Sequence, residues 1–239
     1  MAYLSSFLDS VKCLTNFFTK QFTDLDPYEF FIAGNLEIAY KESLDGGGRT
    51  FGQEYFRLFH NINFTPSGSV LEWCCGPGFI GFGIMSKFKI HKLVLHDINP
   101  AVANVVKETI RKNKLQNVKL YCSQSITGIP AQTFNLIVAN PPHFSSRNFY
   151  ANPNVQDQII YDFGWEAHRL FFENISNYMN NDSLLILQEN NRGSVTEDFR
   201  KVIEQSNLKL IESVGDKGFL TSSDNFYFLL IKKGTFKEY

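Results

Sequence analysis

The chain has no large excess of charge and no long apolar run. Its 239 residues carry a formal net charge of -1, so no global attraction to the phosphates of nucleic acid is expected. No stretch approaches the roughly 20 apolar residues of a membrane span. Asp9, Lys12 and Lys20 interrupt the apolar N-terminus, which therefore does not resemble a signal peptide. These absences predict a cytoplasmic protein with no membrane partner.

Cysteine is also scarce, with four residues in the chain. Cys74 and Cys75 are adjacent, which is not the spacing of zinc ligands, and no histidine cluster accompanies them. We therefore predict no metal site and interpret the cysteines as reduced, buried thiols. Phenylalanine is abundant instead, with 24 residues, which predicts core filling with some rings left for a binding cleft.

The sequence pattern changes near residue 65. Residues 1–65 show mostly helical periodicity, with an amphipathic helix expected over 4–18 and another over 51–59. Residues 43–52 contain three consecutive glycines and predict a turn-rich loop. From residue 68 onward strands and helices alternate, so we predict an N-terminal helical extension followed by an α/β domain over residues 66–239.

The α/β part predicts a Rossmann-like, mostly parallel sheet. Strands separated by helical segments imply right-handed crossovers between parallel strands. The last two strands have no helix between them and are expected to form an antiparallel pair at one edge. The predicted strands cover residues 69–74, 92–96, 118–122, 134–139, 184–188, 208–214 and 226–232.

A glycine-containing turn follows the first of these strands. Gly76, Gly78 and Gly81 match the spacing of a dinucleotide-binding loop, which is a weak signal when it stands alone. Glu72 lies just before the loop, where a carboxylate would repel pyrophosphate and favour a cationic or amine-bearing ligand. The alternative is that the glycines only turn the chain.

A second acid ends the next predicted strand. Asp97 lies 21 positions after Gly76, near the spacing of a carboxylate that binds ribose hydroxyls. Alternatively, Asp97 caps the following helix. Asn99, before Pro100, could provide that cap and leave Asp97 for the ribose.

The segment Asn140-Pro141-Pro142-His143-Phe144 directly follows the apolar strand of residues 134–139. Two prolines fix two φ angles and remove two backbone donors, which leaves the carbonyls before them free for another partner. A carboxamide beside free carbonyls, followed by aromatic rings, is suited to receiving a planar amino group. The alternative is an ordinary proline-rich turn.

These three motifs resemble those of the class I S-adenosylmethionine-dependent methyltransferases. The third resembles the small-domain branch that methylates planar nitrogens, which includes the release-factor glutamine methyltransferases and the base-amine methyltransferases of RNA and DNA. The resemblance covers about residues 45–232. It implies S-adenosyl-L-methionine as the cofactor and a seven-stranded sheet in the order 3-2-1-4-5-7-6, with strand 7 antiparallel.

The resemblance also implies roles for particular residues. Those of the cofactor site are Glu72 and the loop residues Cys74, Cys75, Gly76 and Gly78 for the methionine part, Asp97 for the ribose, Ile98 against the adenine, Ser123 and Gln124 beside the adenine amino group, and Asn140 where cofactor and acceptor meet. Those of the acceptor site are Asn140 and Pro141 as catalytic groups, with Pro142, His143 and Phe144 in contact with the acceptor. Hydrogen bonds from the amino group to the Asn140 side chain and the Pro141 carbonyl would concentrate its lone pair and aim it.

The chain departs from the family at three positions. Cys74 replaces the first loop glycine, so its backbone is expected to avoid angles open only to glycine. Gln124 stands where Asp is frequent, and His143 where Tyr or Phe is common. His143 is either a substrate contact or an ordinary turn histidine. Residues 145–162 predict a lid or binding loop, and Gln188–Asn191 end the fifth strand on the same edge as Asn140.

Three functions fit these patterns. The first is an N-methyltransferase acting on a protein glutamine or a small molecule; nucleic acid is a possible but disfavoured acceptor because no basic accessory region is evident. A base-amine methyltransferase of rRNA, tRNA or DNA is its alternative. The second is an NAD-dependent oxidoreductase, against which Glu72 and the Asn140 motif argue. The third is a non-catalytic binding protein that keeps the fold.

Overall fold

The computed structural model describes residues 28–146, 157–215 and 225–234. The strands are β1 Glu29–Ala33, β2 Leu36–Tyr40, β3 Gly68–Trp73, β4 Ile90–Asp97, β5 Val118–Cys122, β6 Phe134–Ala139, β7 Met179–Asn190, β8 Leu208–Val214 and β9 Phe226–Lys233. The α-helices are α1 Gly48–Asn61, α2 Phe79–Lys87, α3 Val102–Lys112, α4 Asp157–Ile160, α5 Glu166–Ile175 and α6 Thr196–Gln205. Within these residues no helix is both long enough and apolar enough to cross a membrane.

Seven of the strands form one sheet in the order β5-β4-β3-β6-β7-β9-β8. β3 to β7 run parallel, whereas β9 is antiparallel to both of its neighbours. Counted from β3, this order is 3-2-1-4-5-7-6 with an antiparallel seventh strand, so the predicted fold is confirmed. The antiparallel pair of β8 and β9 is also confirmed, with β8 as the edge strand.

The central strands are buried on both faces. Alternate side chains of a strand point to opposite sides of the sheet, so each central strand contributes to two hydrophobic clusters. In β3, Val70 belongs to one cluster and Leu71 to the other. In β6, Leu136 and Ile137 divide in the same way. Burial on both faces explains why these strands read as short continuous apolar runs in the sequence.

The helical periodicity expected throughout residues 1–65 is wrong for residues 29–40. β1 and β2 form an antiparallel hairpin whose turn contains Gly34 at a φ of 58°. In β2, Leu36, Ile38, Ala39 and Tyr40 are buried, so this strand packs against the rest of the protein on both faces. Helix α1 begins at Gly48, so the loop expected over 43–52 is shorter than predicted. The helix predicted over 4–18 lies outside the described residues.

Helix α1 packs into the core of the sheet. Tyr55, Leu58 and Phe59 are buried in the same cluster as Val70, and the Tyr55 ring lies 5.0 Å from that of Phe228. The division of the chain at residue 65 stays a prediction. In the described residues, the C-terminal part of the expected extension is continuous with the core of the α/β fold.

Candidate active site

A cavity of about 200 Å³ opens beyond the carboxyl ends of β3, β4 and β6. Parallel strands end at the same edge of a sheet, so residues distant in sequence meet there. The residues singled out from the sequence that line it are Glu72, Cys74, Cys75, Gly76, Asp97, Ile98, Asn140, Pro141, Pro142 and His143. Four others, Gly78, Ser123, Gln124 and Phe144, do not line it.

Glu72 ends strand β3 with a buried carboxylate at the beginning of helix α2. Its Oε2 accepts a hydrogen bond from the Gly81 N–H at 2.7 Å, which satisfies one of the free donors of the first helical turn. A Cβ at Gly81 would lie 2.7 Å from that oxygen, so a side chain there would displace the carboxylate. Burial raises the pKa of Glu72 to about 8, although the backbone N–H groups of Gly81 and Ile80 oppose the shift.

The backbone N–H groups of the glycine loop already have partners within the protein. Cys75 N–H donates to the His96 carbonyl at 3.0 Å, and Gly78 N–H donates to the Cys75 carbonyl at 2.7 Å. Gly76 N–H donates to Asp97 Oδ2 at 2.8 Å. A loop that binds pyrophosphate offers such groups to the ligand instead. This loop therefore lacks the free donors of a phosphate cradle.

Asp97 and Asn99 make different hydrogen bonds at the end of β4. Asn99 Oδ1 accepts from the Ala101 N–H at 3.0 Å, at the turn that leads into α3. Asp97 instead accepts from Gly76 and from the Asn99 N–H, the latter at 2.9 Å, and lines the cavity. Burial raises the pKa of Asp97. The helix-cap alternative for Asp97 is thus replaced by a link between the ends of β3 and β4.

Cys74 occupies its glycine-like position at an energetic cost. Its φ of 53° lies in the left-handed region, which favours glycine but is open to other residues. The cost for such a residue is about 1–2 kcal/mol. The expectation that this backbone avoids angles open only to glycine is met, yet the loop keeps a conformation that glycine would adopt more easily.

Ser123 and Gln124 do not reach the cavity. Ser123 Oγ donates to the Ser125 carbonyl at 2.8 Å, so it accepts from His96 Nε2 at 3.0 Å. Burial lowers the pKa of His96 to about 4, which keeps this ring neutral. Gln124 is exposed. Their expected place beside an adenine amino group stays a prediction.

The Asn140 side chain contributes an unsatisfied acceptor to the cavity. Its Oδ1 atom is buried and has no hydrogen-bond partner among the described residues. A buried carbonyl without a partner costs about 1–3 kcal/mol, so this arrangement is expensive unless a ligand supplies a donor. Pro141 and Pro142 follow it in the cavity wall and have no N–H to donate.

Tyr55 of α1 fixes the end of the strand that carries Asn140. Its buried hydroxyl lies 2.7 Å from the Ala139 carbonyl oxygen and 3.1 Å from that of Ile186. It also accepts from the Ala139 N–H at 3.2 Å. One side chain from the N-terminal segment thereby joins β6 to β7 immediately before Asn140.

Phe144 anchors the segment of residues 157–162, which lines one side of the cavity. Its side chain is buried, with its ring 6.4 Å from that of Tyr161. Its N–H donates to the Ile160 carbonyl at 3.2 Å, and its carbonyl accepts from the Asp162 N–H at 2.9 Å. Residues 147–156 of the predicted lid lie outside the described residues, whereas Ile159, Tyr161 and Asp162 line the cavity.

A buried chain of ionisable side chains runs beneath this half of the cavity. Asp162 Oδ2 lies 2.6 Å from His168 Nδ1, and His168 Nε2 lies 3.0 Å from Glu189 Oε1. Glu189 Oε2 in turn lies 3.5 Å from His143 Nδ1. His168 and Glu189 are fully buried, so their charges must balance one another.

The charges of this chain follow from its hydrogen bonds. Burial lowers the pKa of His168, but the carboxylates of Glu189 and Asp162 outweigh it and raise that pKa to about 9. Burial raises the pKa of Glu189, and the neighbouring His168 reverses the shift and lowers it. His168 is therefore a buried cation held between two carboxylates.

Sequence reasoning missed His168 and Tyr55. His168 lies on the buried face of α5 with Phe171 and Phe172, at the spacing of i, i+3 and i+4. A polar residue on an apolar helical face is the signal that could have identified it. The sequence pattern placed Tyr55 only on the apolar face of the helix predicted over residues 51–59. Glu189 was placed correctly at the edge of the sheet that carries Asn140.

The cavity is acidic. Asp45, Glu72, Asp97 and Asp162 line it, and no lysine or arginine does so among the described residues. Asp45 is paired with Arg49 at 2.5 Å and Asp162 with His168. Glu72 and Asp97 are held by backbone N–H groups. The field in the cavity therefore favours a cationic ligand over an anionic one.

Residues 54–164 match the family model described as the methyltransferase small domain. The chain is 36% identical over 115 residues to uncharacterized protein YbxB of Bacillus subtilis, covering 48% of this chain and 54% of that protein. It is 28% identical over 131 residues to the ribosomal protein uL3 glutamine methyltransferase of Francisella tularensis, covering 52% of this chain and 41% of that protein. It is 28% identical over 85 residues to ribosomal RNA small subunit methyltransferase C of Pseudomonas syringae, covering 36% of this chain and 25% of that protein.

The chain thus spans about half the length, or less, of these curated relatives. Its fold is similar to a crystal structure of an S-adenosylmethionine-dependent methyltransferase from Clostridium acetobutylicum, with a TM-score of 0.55 at 12% identity. That similarity covers 77% of this chain and 91% of the other. Residues 54–164 thus match the model of the methyltransferase small domain, and the described residues have the Rossmann-like fold of S-adenosylmethionine-dependent methyltransferases.

Proposed function

We propose that the protein is an S-adenosylmethionine-dependent N-methyltransferase. Its acceptor would be a planar nitrogen, either a glutamine-type carboxamide or an exocyclic amine, on a protein or a small molecule. It would act in the cytoplasm, where its cysteines remain reduced. The observation that carries the proposal is the buried, unpartnered Asn140 Oδ1, which lines the same cavity as Glu72 and Asp97.

The half of the cavity formed by β3 and β4 supports a cationic nucleoside ligand. Glu72 and the loop from Cys74 to Gly76 would hold the amino acid part, and Asp97 would hold the ribose hydroxyls with its remaining lone pairs. Ile98 is 53% exposed at the cavity wall, where it offers an apolar surface for a base. When bound, S-adenosylmethionine supplies a methyl group on a positively charged sulfur.

The half of the cavity formed by β6 supports an amino group as the acceptor. An amide or aryl amine is a poor nucleophile because its lone pair is delocalised. Hydrogen bonds from its two N–H groups to Asn140 Oδ1 and to the Pro141 carbonyl would favour a pyramidal nitrogen. They would also fix the direction of the lone pair, and such positioning contributes several kcal/mol to a transfer reaction.

Two observations argue against an NAD-dependent oxidoreductase. The N–H groups of Cys75, Gly76 and Gly78 are already bonded inside the protein, which leaves no phosphate cradle among them. Among the described residues, the cavity also lacks a lysine or arginine side chain and holds four side-chain carboxyl groups. Pyrophosphate would be repelled where a sulfonium would be attracted.

The relatives support two classes of acceptor. The similarity to a glutamine methyltransferase favours a protein carboxamide. The similarity to a ribosomal RNA methyltransferase supports a base amine as the second candidate. We favour the carboxamide, because the net charge is -1 and the cavity wall is acidic, whereas RNA affinity depends on basic residues.

Ligand binding is the first test. Thermal unfolding is measured with S-adenosylmethionine, with its demethylated product S-adenosylhomocysteine, and with NAD. A ligand at 100 times its Kd stabilises the folded state by about 2.7 kcal/mol. We expect both sulfur compounds to raise Tm and NAD to leave it unchanged. Stabilisation by NAD alone would refute the proposal.

Methyl transfer is the second test. The protein is incubated with S-adenosylmethionine carrying a tritiated methyl group and with three separate pools of a cell extract, namely protein, deproteinised RNA and small molecules. We expect label in the protein pool that is recovered as N-methylglutamine after enzymatic digestion and as methylamine after acid hydrolysis. Label in the RNA pool would select the base-amine alternative, and binding without label in any pool would leave a non-catalytic protein.

A further inference from the structure

We propose that His143 is a catalytic base that accepts the proton released from the newly methylated nitrogen, and that Glu189 positions it. This inference rests on the proposed function and adds a proton acceptor to the same site. It also gives a reason for the histidine at position 143, where the family that the chain resembles commonly has Tyr or Phe.

The first support is the place of His143 in the cavity wall. It follows Asn140 by three positions, after two prolines that hold the backbone rigid, and both residues line the cavity. Its Nε2 is buried and has no hydrogen-bond partner in the part of the chain that the structure describes. His143 thus adds a second unsatisfied polar atom beside the proposed acceptor position.

The second support is the tautomer that the surroundings impose. Nδ1 lies 3.5 Å from Glu189 Oε2, and the cationic His168 keeps Glu189 ionised. A carboxylate accepts hydrogen bonds but cannot donate them, so the proton of a neutral His143 ring belongs on Nδ1. Nε2 then carries a lone pair, which is the form of a base oriented by a carboxylate.

The third support is the packing that fixes the ring and its backbone. The His143 ring lies edge-on to that of Phe226, with 5.6 Å between the centroids. A Cβ at Gly193 would lie 2.0 Å from the His143 carbonyl oxygen, so the turn after β7 closes directly over this backbone. A base held this firmly needs little reorganisation when it accepts a proton.

The proposed step balances in atoms and charge. The acceptor nitrogen attacks the methyl carbon, an N–C bond forms, and the C–S bond breaks with its electron pair left on sulfur. The nitrogen becomes cationic and still carries its hydrogens. One of these protons passes to His143 Nε2, which gives a neutral N-methyl product and an imidazolium ion beside the Glu189 carboxylate. Solvent removes that proton after the product leaves.

Several ionisable groups surround His143 and would shape its pH dependence. Glu189 faces it directly from β7, and the pair of His168 and Asp162 lies behind Glu189. Across the cavity lie Glu72 and Asp97, together with Asp45 and its partner Arg49.

The decisive test is the pH dependence of methyl transfer in His143→Gln and His143→Phe. Rates are measured with tritiated S-adenosylmethionine and the protein pool of the extract. In the wild type we expect the rate to fall on the acid side, where His143 is protonated. Both variants should lose at least about 100-fold in rate, a typical contribution of an acid–base group, and should lose this acid limb. Their affinity for S-adenosylmethionine should not change.

His91→Gln is the matched control, because the same substitution is made at an exposed histidine on β4. It should retain both the rate and the pH profile of the wild type. A His143→Phe protein that binds S-adenosylmethionine and keeps the wild-type rate and acid limb would overturn the inference while leaving the proposed function intact. No label in any pool with the wild type would overturn both.

Glu189→Gln tests the positioning role. The amide has one acceptor oxygen, so when that oxygen accepts from His143 Nδ1 the amide NH2 faces His168 Nε2, and the negative charge between the two rings is lost. We expect the acid limb to move to lower pH, with KM unchanged and kcat reduced. An unchanged pH profile would make Glu189 purely structural. The tautomer itself is read from ¹⁵N NMR of the histidine rings in the wild type, and a proton on Nε2 would refute the inference without any variant.

Discussion

The two halves of the cavity satisfy their polar groups in different ways. On the side of β3 and β4, Glu72 and Asp97 are held by backbone N–H groups close in the chain or on the adjacent strand. On the side of β6 and β7, Asn140 and His143 keep buried polar atoms without partners in the described residues, and a side-chain ion network lies beneath them.

This difference indicates that the polar groups of one half have their hydrogen-bond partners within the protein, whereas those of the other half need a ligand to supply them. Backbone hydrogen bonds hold Glu72 and Asp97, in the half of the cavity proposed for the cofactor (the cofactor half), in place before any ligand arrives. In the acceptor half, unsatisfied atoms raise the energy of the free protein by about 1–3 kcal/mol each and are relieved only by a ligand with matching donors. Variants of the two halves should therefore separate binding from transfer.

The largest effect is expected from removing the buried cation of the acceptor half. His168→Gln leaves Glu189 and Asp162 buried without it, and breaking such a pair costs about 3–5 kcal/mol. The folded pKa of about 9 exceeds the ordinary 6.5, so the stabilisation by His168 is complete below pH 6.5 and lost as pH rises through 9. Urea unfolding across this pH range should show that the difference in the free energy of unfolding between wild type and variant becomes smaller at high pH. His91→Gln, at an exposed position, should show no such difference.

Asn140→Ala should separate the two halves most cleanly. Loss of one oriented acceptor in an active site typically costs about 100- to 1000-fold in rate. The affinity for S-adenosylmethionine should remain, because Glu72 and Asp97 are untouched. Isothermal titration and the tritium assay measure the two quantities on one preparation. Full transfer by this variant would show that the acceptor half does not use Asn140.

Tyr55→Phe tests the link between helix α1 and the acceptor half. The variant leaves the buried Ala139 N–H without the hydroxyl that accepts from it, at a cost of about 1–3 kcal/mol in the free energy of unfolding. Because Ala139 precedes Asn140, kcat should fall as well, while cofactor affinity per folded molecule stays constant. Phe59→Leu, in the same buried helix face, is the control for lost packing without a lost hydrogen bond.

Glu72→Gln tests the electrostatics of the cofactor half. The pKa of about 8 lies above the ordinary 4.5, so Glu72 stabilises the empty protein below pH 4.5 and this stabilisation is lost as pH rises through 8. A cationic ligand favours the ionised carboxylate, so binding at pH 7 should release a proton. Each unit by which the ligand lowers the pKa of Glu72 corresponds to about 1.4 kcal/mol, or tenfold in the affinity for that ligand. Calorimetry in two buffers of different ionisation enthalpy measures the proton, which the variant should not release.

Cys74→Gly should give the smallest effect. Glycine removes the cost of about 1–2 kcal/mol for a left-handed residue, but it adds about 0.5–1 kcal/mol of chain entropy to the unfolded state. We expect a net stabilisation of less than about 1 kcal/mol, measured by urea unfolding against Cys74→Ala as the control. Destabilisation by glycine would show that the thiol packing outweighs the backbone strain.

The sequence identified the residues that line the proposed cofactor half because the signals that mark them are local. Glu72, the glycine turn and Asp97 each stand at a strand end marked by a short apolar run, and strand ends of a parallel sheet converge. The hairpin of β1 and β2 was not predicted, because neither strand alternates regularly between buried and exposed positions and its apolar residues also fit a helical stripe. The 3.6-residue and two-residue periods overlap in so short a segment.

The sequence by itself determined the positions of the strands of the large sheet and the turn at Asn140, because periodicity and proline act on neighbouring residues. The order of those strands was implied by the resemblance to a family, and the structure confirmed it. Tertiary structure alone decided that Tyr55 secures the end of β6 and that Asp162, His168 and Glu189 reach His143. These contacts join segments from four parts of the chain. Burial then sets their charges, since a buried cation persists only between the carboxylates that the fold brings to it.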